Sequence, residues 1–222
     1  MTPLQLVTSI RGIAHDTATP QKWSDDFIID AYNEGRMEAA RRARLIEDPT
    51  TAETCRIAVK VGKHTYDVDR RVIYVRRVKL ALQDKPLPKL DIRDADSYAP
   101  GWESRENGTP VAWMPYGDYQ IRLINPPDTA DTMHLTVVRE PLESLTIAST
   151  EDEDISPRYH YKIRDWVLYR MYMERDLIEK YRPEEARERL ASFETEFGVP
   201  TGAAEEKWIH RRHGYDEFEG LY

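Results

Sequence analysis

An α+β fold is predicted: a helical bundle formed by the N- and C-terminal segments, an antiparallel β-domain inserted between them, and an extended C-terminal tail. Three observations predict it. Near both ends apolar residues recur at three- and four-residue steps, the pattern of helices with one buried face. In the middle the period falls to two, with Gly and Pro at the breaks, as in half-buried strands joined by turns. The final stretch holds large apolar side chains in no sustained period. The expected divisions are 1–48 for the first helices, 49–150 for the β-domain, 151–198 for a closing helical hairpin and 199–222 for a C-terminal arm.

Taken in order, Thr2-Pro3 is a cap followed by a proline suited to a first helical position, and Leu4, Val7, Ile10 and Ile13 supply a short amphipathic stripe. Ser24 with Asp25 and Asp26 opens a longer helix carrying Phe27, Ile28, Ala31, Tyr32, Met37, Ala40 and Ala43, which Asp48-Pro49 ends. Gly35 inside it either weakens the helix by about 1 kcal/mol relative to alanine or marks a close helix contact. Cys55, Ile57, Val59 and Val61 then alternate with polar or small residues as a strand. Gly62-Lys63 turns the chain, and His64 to Val68 returns. Val72 to Leu82 places Val72, Tyr74, Val78, Leu80 and Leu82 on one parity. Asp84 to Gly108 reads as a long polar connection anchored by Leu87, Leu90, Ile92 and Trp102. A hairpin follows, Val111–Tyr116 and Tyr119–Ile124 about a Gly117-Asp118 turn, and Thr132–Arg139 is the last strand.

The closing hairpin begins at Ser156-Pro157, again a cap and a first-position proline, with Ile163, Trp166, Val167, Met173 and Leu177 as its stripe. Pro183, Glu184 and Glu185 start the second helix. Ala186, Leu190, Phe193 and Phe197 line one face before Gly198 stops it. The bundle core is therefore expected from Phe27, Ile163, Trp166, Leu190, Phe193 and Phe197. Residues 3–15 and 24–46 are expected to pack against 157–180 and 183–197.

Composition narrows the function. A chain of 222 residues is long enough for a sizeable core, yet its charged share of 32% and mean hydropathy of −0.70 imply extended loops or tails, or surfaces buried only in an assembly. A net charge of −8 argues against a protein that grips nucleic acid over a broad surface, and is compatible with a channel past which DNA slides. Positive charge is dense at Arg36, Arg41, Arg42 and Arg44, and again at Arg70, Arg71, Arg76 and Arg77. Each cluster reads as a solvated helix face or strand edge, or else as a patch facing a partner. No stretch approaches the ~18 apolar residues that span a bilayer. The first residues lack a basic lead and an apolar run, so no secretory signal and no membrane are expected. The single cysteine, Cys55, leaves no intramolecular disulfide and no multi-cysteine metal site, and a reducing interior is its natural setting.

Catalytic signatures are missing. The sequence has no Gly-rich phosphate loop, no nucleophile elbow and no His-Glu-x-x-His segment. His210-Arg211-Arg212-His213 has a spacing that would put two rings on one helical face, but the two arginines between them repel a cation, so a solvated basic segment is the reading preferred. Asp67 with Asp69, and Asp91 with Asp94 and Asp96, are paired carboxylates with no sequence context that would tune their acidity. The acidic run Glu151–Asp154 reads as a loop favouring the helix that follows. Tyr159, His160, Tyr161 and Trp166 read as core packing with an inter-helix hydrogen bond, and Cys55 as a small core residue. No cofactor, metal or catalytic residue is expected.

This order of elements resembles the head-to-tail adaptor (connector) proteins of tailed bacteriophages. Trp23-Ser24-Asp25-Asp26-Phe27-Ile28-Ile29-Asp30-Ala31-Tyr32-Asn33-Glu34 resembles the family's helix with its Asn-Glu or Asn-Ala segment. Gly62-Lys63-His64-Thr65-Tyr66-Asp67-Val68 is similar to its strand turn, and Asn107–Trp113 with Ile121–Pro127 to its proline-bounded hairpin. Leu135–Pro141 resembles its Arg-x-Pro strand end. Ile155–Trp166 and Phe193–Gly198 complete the helical hairpin, so the resemblance spans residues 1 to 198.

The resemblance implies a non-enzymatic virion protein of the neck, assembled in the host cytoplasm. It implies a ring of copies, commonly twelve, beneath the portal protein, presenting a platform to the tail nozzle protein and in short-tailed phages to a tail fibre. Duplex DNA would pass its channel without specific binding. Residues 199–222 are expected to be the arm that binds the portal, through Trp208, Ile209, Arg211, Arg212, Tyr215, Phe218 and Tyr222. Two other classes stay open. A stand-alone β-domain binding module calls for a concave aromatic face around Trp102, Trp113, Tyr116 and Tyr119. A hydrolase calls for carboxylates that the fold gathers in one deep pocket.

Overall fold

The computed structural model describes residues 2–150, 154–174 and 181–200, and the class is α+β. Leu177 and the stretch from Thr201 onward lie outside the described residues. The chain divides into two compact units. One holds residues up to Ile46 together with Glu140–Pro200, and the other holds Glu47–Arg139.

The first unit is helical. Helix α1 (Pro3–Ala14) is opened by a reciprocal cap in which the Thr2 hydroxyl accepts from the Gln5 amide and the Gln5 side chain accepts from the Thr2 amide. Helix α2 (Asp25–Ala43) is capped by Ser24 Oγ, which accepts from Phe27 N at 3.1 Å, and ends at Arg44 in the left-handed region. Helix α5 (His160–Met173) and helix α6 (Pro183–Phe197) are packed against each other, and α5 also touches α1 and α2. Contact with three helices explains the burial of α5 on several sides: His160, Ile163, Asp165, Trp166, Val167, Leu168, Met171 and Tyr172 are all buried. One apolar cluster runs through all four helices, from Leu6 and Ile10 through Ile28 and Tyr32 to Leu168, Phe193 and Phe197.

Gly35 lies where α2 meets α5. A Cβ there would stand 3.0 Å from Trp166 Cδ1 and 3.1 Å from both Trp166 Cβ and Ile163 Cγ2. The absent side chain is thus what lets the two helices approach. The entrance to α5 differs from the expected cap. Residues Pro157–Tyr159 form a 3₁₀ turn, Ser156 makes no side-chain cap bond, and the Tyr159 amide bonds instead to the Ser156 carbonyl at 3.0 Å. Met37 of α2 is exposed.

The second unit is built on two antiparallel sheets. In the first, β7 (Asp131–Arg139) is central. Strand β4 (Val72–Leu80) pairs along one side, and β2 (Arg56–Val59) and β1 (Glu47–Asp48) share the other. In the second, β6 (Gln120–Ile124) lies between β3 (Thr65–Asp67) and β5 (Ala112–Tyr116), with Gly117 at positive φ in the β5–β6 turn. Inward residues of both sheets, Val59, Val78, Leu80, Met133, Leu135 and Val137 with Tyr66, Trp113, Ile121 and Leu123, form one core.

Three expectations are corrected here. Cys55 is not on a strand but closes a helical turn, α3 (Ala52–Cys55), because the Asp48 carboxylate accepts from the Thr50 and Thr51 amides at 2.8 and 3.0 Å and bends the chain first. The 84–108 connection contains helix α4 (Ile92–Tyr98), capped by Asp91, and a 3₁₀ turn at Trp102–Ser104. Leu87, Leu90 and Trp102 are buried anchors, whereas Ile92 is exposed. The parity read for β4 breaks at two register irregularities, between Val72 and Tyr74 and between Val75 and Arg77, and Leu82 beyond the strand is 71% exposed.

Candidate functional site

The charged side chains divide into those that fix the fold and those that remain available. In the helical unit almost all the arginines of interest are spent internally. Arg11 spans the α1–α2 connection, donating to Asp16 at 2.6 Å, to Asp25 at 2.5 Å and to the Trp23 carbonyl at 2.8 Å. Arg36 is 2% exposed and donates to the Asn33 side chain at 3.2 Å and the Glu143 carbonyl at 3.1 Å, with Asp154 at 3.9 Å. Asn33 completes the clasp by exchanging two 2.9 Å bonds with the Leu145 backbone, which fastens residues 143–145 to α2. Asp154 also accepts from the Leu142 amide, which ties it to this strap; the rest of the acidic run, 151–153, lies outside the described residues. Arg42 lies 5.3 Å from the ring centres of both Trp166 and Phe193 while pairing with Glu38. Arg41 pairs with Glu140 at 2.6 Å. The first arginine cluster is therefore largely structural.

In the β unit Arg139 and Asp48 form a buried pair at 2.6 Å between β7 and β1. Burial pushes the Asp48 carboxyl upward, but hydrogen bonds from Thr51 and Thr50 and the Arg139 guanidinium overcome it and hold the acid well below the usual carboxylate range. Arg71 is taken by Asp69 and Glu53, and its hydrogen bond holds the Asp69 carboxyl below its ordinary value. Arg76 is taken by Glu47. Arg122 is stacked against Trp102 at 4.6 Å and Tyr116 at 5.6 Å.

The outward face of the β7 sheet is different. Register places Arg56 of β2 and Lys79 of β4 on either side of His134, and Arg77 beside Thr136 one row further along. Arg56, Arg77 and His134 are exposed and Lys79 is half-exposed, and among the described residues none of the four has a carboxylate partner. On the same face the flanking rows pair Thr132 with Ala58 at one end and Val138 with Glu47 and Tyr74 at the other.

The family model of the SU10 adaptor protein matches residues 1–212. The chain belongs to the SU10 adaptor protein family. This is a family of phage head-to-tail adaptors, so the chain is a structural adaptor of the phage neck. No curated protein matches the sequence.

Within this SU10 adaptor the sequence-derived residues take the following places. Ile163, Trp166, Phe193 and Phe197 are buried in the helical cluster, and Phe27 and Leu190 are partly buried against it. Their rings form a chain, Trp166 to Phe193 at 5.0 Å and Phe193 to Phe197 at 4.7 Å. Trp208, Ile209, Arg211, Arg212, Tyr215, Phe218 and Tyr222 lie outside the described residues, as do His210 and His213. His160 is buried, with Nε2 3.1 Å from the Ile155 carbonyl and its ring edge-on to Tyr32 of α2.

The aromatic face required of a binding module is not assembled. Trp113 is 1% and Trp102 7% exposed, leaving only Tyr116 and Tyr119 at the surface. Of the acids, Asp67 lines an open depression of about 380 Å³ with Arg70 and Asp118 and accepts from Gln120 at 2.7 Å. Asp91 is spent as a helix cap and Asp96 accepts the Trp102 indole N–H at 2.9 Å. Among the described residues no group of three or more His, Cys, Asp or Glu is placed to hold a metal, and no helix is long and apolar enough to cross a membrane. Sequence reasoning missed the Arg56–His134–Lys79 row. The alternation of each strand is visible, but cross-strand register is not.

Proposed function

We propose that this SU10 adaptor forms the ring that joins the capsid portal protein to the tail nozzle protein and lines the channel through which duplex DNA leaves. The ring has twelve copies, it offers a platform to a tail fibre, and it is assembled in the host cytoplasm before it takes its place in the neck. The role is structural. The observation that carries this reading is the extent of the family match, residues 1–212, which takes in both compact units and most of the C-terminal stretch.

The residues divide the work in a way the chemistry supports. Segments 1–48 and 151–198 act as a rigid helical bundle, with Phe27, Ile163, Trp166, Leu190, Phe193 and Phe197 as its core. Residues 49–150 are the inserted β-domain. Residues 199–222 are the portal-binding arm: Trp208 and Ile209 beside Arg211 and Arg212 have the composition of interface anchors, and Tyr215, Phe218 and Tyr222 extend the apolar contact. The net charge of −8 lets DNA move through the channel without lasting adhesion.

Mixing the purified chain with its cognate portal and following the product by size exclusion tests the reading. A large complex visible as a ring by electron microscopy is expected. Persistent separation of the two proteins overturns it.

A further inference from the structure

The acidic balance of the chain is unevenly spread. Residues 1–46 with 140–200 carry 15 Lys and Arg against 21 Asp and Glu, whereas residues 47–139 carry 14 of each. Even within that neutral unit the sheet face described above is one-sided. Arg71, Arg76 and Arg139 each have a carboxylate within 3.0 Å. Arg56, Arg77, Lys79 and His134 have none among the described residues, and all project from one face because their strand positions share a parity.

Strand spacing fixes the layout. Arg56 and Lys79, two strands apart, stand about 10 Å apart at the backbone, and Arg77 and Lys79 about 7 Å apart along β4. The β7 strand beneath them is paired on both sides and packed on the core by Met133, Leu135 and Val137, so the cations are mounted on a rigid base. His134 stands between Arg56 and Lys79, with Thr132 and Thr136 one row to either side of it along β7.

We infer that this face meets the phosphate backbone of duplex DNA passing the assembled adaptor. The inference rests on the reading above for the source of the duplex. Charge complementarity alone would also admit an acidic protein. The Arg56–His134–Lys79 row and the Arg77–Thr136 row, however, hold none of the large apolar anchors that protein interfaces use; Tyr74 and Val138 lie one row beyond. Polar surfaces with strong positive charge and no apolar core are characteristic of contacts to nucleic acid. With only three arginine or lysine side chains per copy, each subunit touches the backbone without holding it. That reconciles a basic face with a chain of negative net charge.

Fluorescence anisotropy of a labelled duplex against the full-length chain tests this. Three phosphate contacts give a slope of about −2.7 in log K against log salt, an affinity loss of roughly 40-fold between about 50 and 200 mM salt. The triple variant R56Q/R77Q/K79Q is expected to lose at least about tenfold in affinity at low salt, and Arg187→Gln, which removes a charge from α6, to bind as the parent does. If the triple variant does not fold, R56Q and K79Q singly are each expected to reduce the slope by about 0.9. Undiminished binding by the variants overturns the inference. So does preferential binding of poly-glutamate over DNA by the parent. Portal attachment by the variants should be unchanged: its loss in the variants alone would make this face a portal contact and overturn the inference, whereas failure of the parent to attach counts against the adaptor reading and not against this face.

Discussion

Gly35 of α2 and Trp166 of α5 are in a contact that a single methyl group would fill, with 3.0 Å from the position of an added Cβ to Trp166 Cδ1. The indole cannot readily give way. It is bounded by Tyr169 at 5.5 Å and Phe193 at 5.0 Å between ring centres, and the Arg42 guanidinium covers it at 5.3 Å. Gly35→Ala gains about 1 kcal/mol of helix propensity but overpacks the contact at a cost of about 1–3 kcal/mol. The expected outcome is a net loss of about 1 kcal/mol by urea denaturation. A stabilised variant would show that the helices can separate freely.

Trp166→Ala removes the other partner. The ring is 7% exposed, so the change leaves a cavity and should cost about 3–5 kcal/mol, read as a large fall in melting temperature. An unchanged melting temperature would mean that this core does not hold the unit together.

The Asp48–Arg139 pair predicts a pH dependence. The folded-state pKa of Asp48 lies below its unfolded value, so its contribution is complete above about pH 4 and is lost as pH falls toward the folded value. Asp48→Ala leaves Arg139 buried without its partner and should cost about 3–5 kcal/mol at neutral pH. Its stability curve should also be flatter than the parent's on the acid side. A curve parallel to the parent's would remove Asp48 as the source of the acid limb.

Cys55 offers a probe of opening in the β unit. Its side chain is 1% exposed, burial pushes the thiol up from its ordinary value, and its Sγ donates to the Asp48 carbonyl at 3.1 Å. Labelling by a disulfide reagent at about pH 8 should be slow in the native protein and immediate in denaturant, with a rate that rises in Asp48→Ala. Fast native labelling would contradict the burial.

The residues explain which parts of the fold were readable. Caps and turns depend on neighbours in sequence, so Thr2-Pro3, Ser24 and the Gly117-Asp118 turn fall at or next to the observed element ends. Helix α4 was missed because it buries only Ala95 and so carries no apolar stripe, although the Asp91 cap was visible. The turn ending at Cys55 was missed because a side chain, Asp48, and not the local period, bends the chain there. The basic face was hidden for a third reason. Arg56, His134 and Lys79 come from three distant segments, and only the strand pairing puts them in one row.

The central claim is that this chain docks on the portal as a ring, with residues 199–222 as the anchor. The most direct measurement is portal attachment by a chain lacking Val199–Tyr222, compared with the full-length chain under the same conditions. The account predicts that the truncated protein keeps its fold and melting behaviour while complex formation with the portal is abolished. Attachment with undiminished affinity would contradict the anchor, and failure of the full-length chain to attach would contradict the adaptor ring itself.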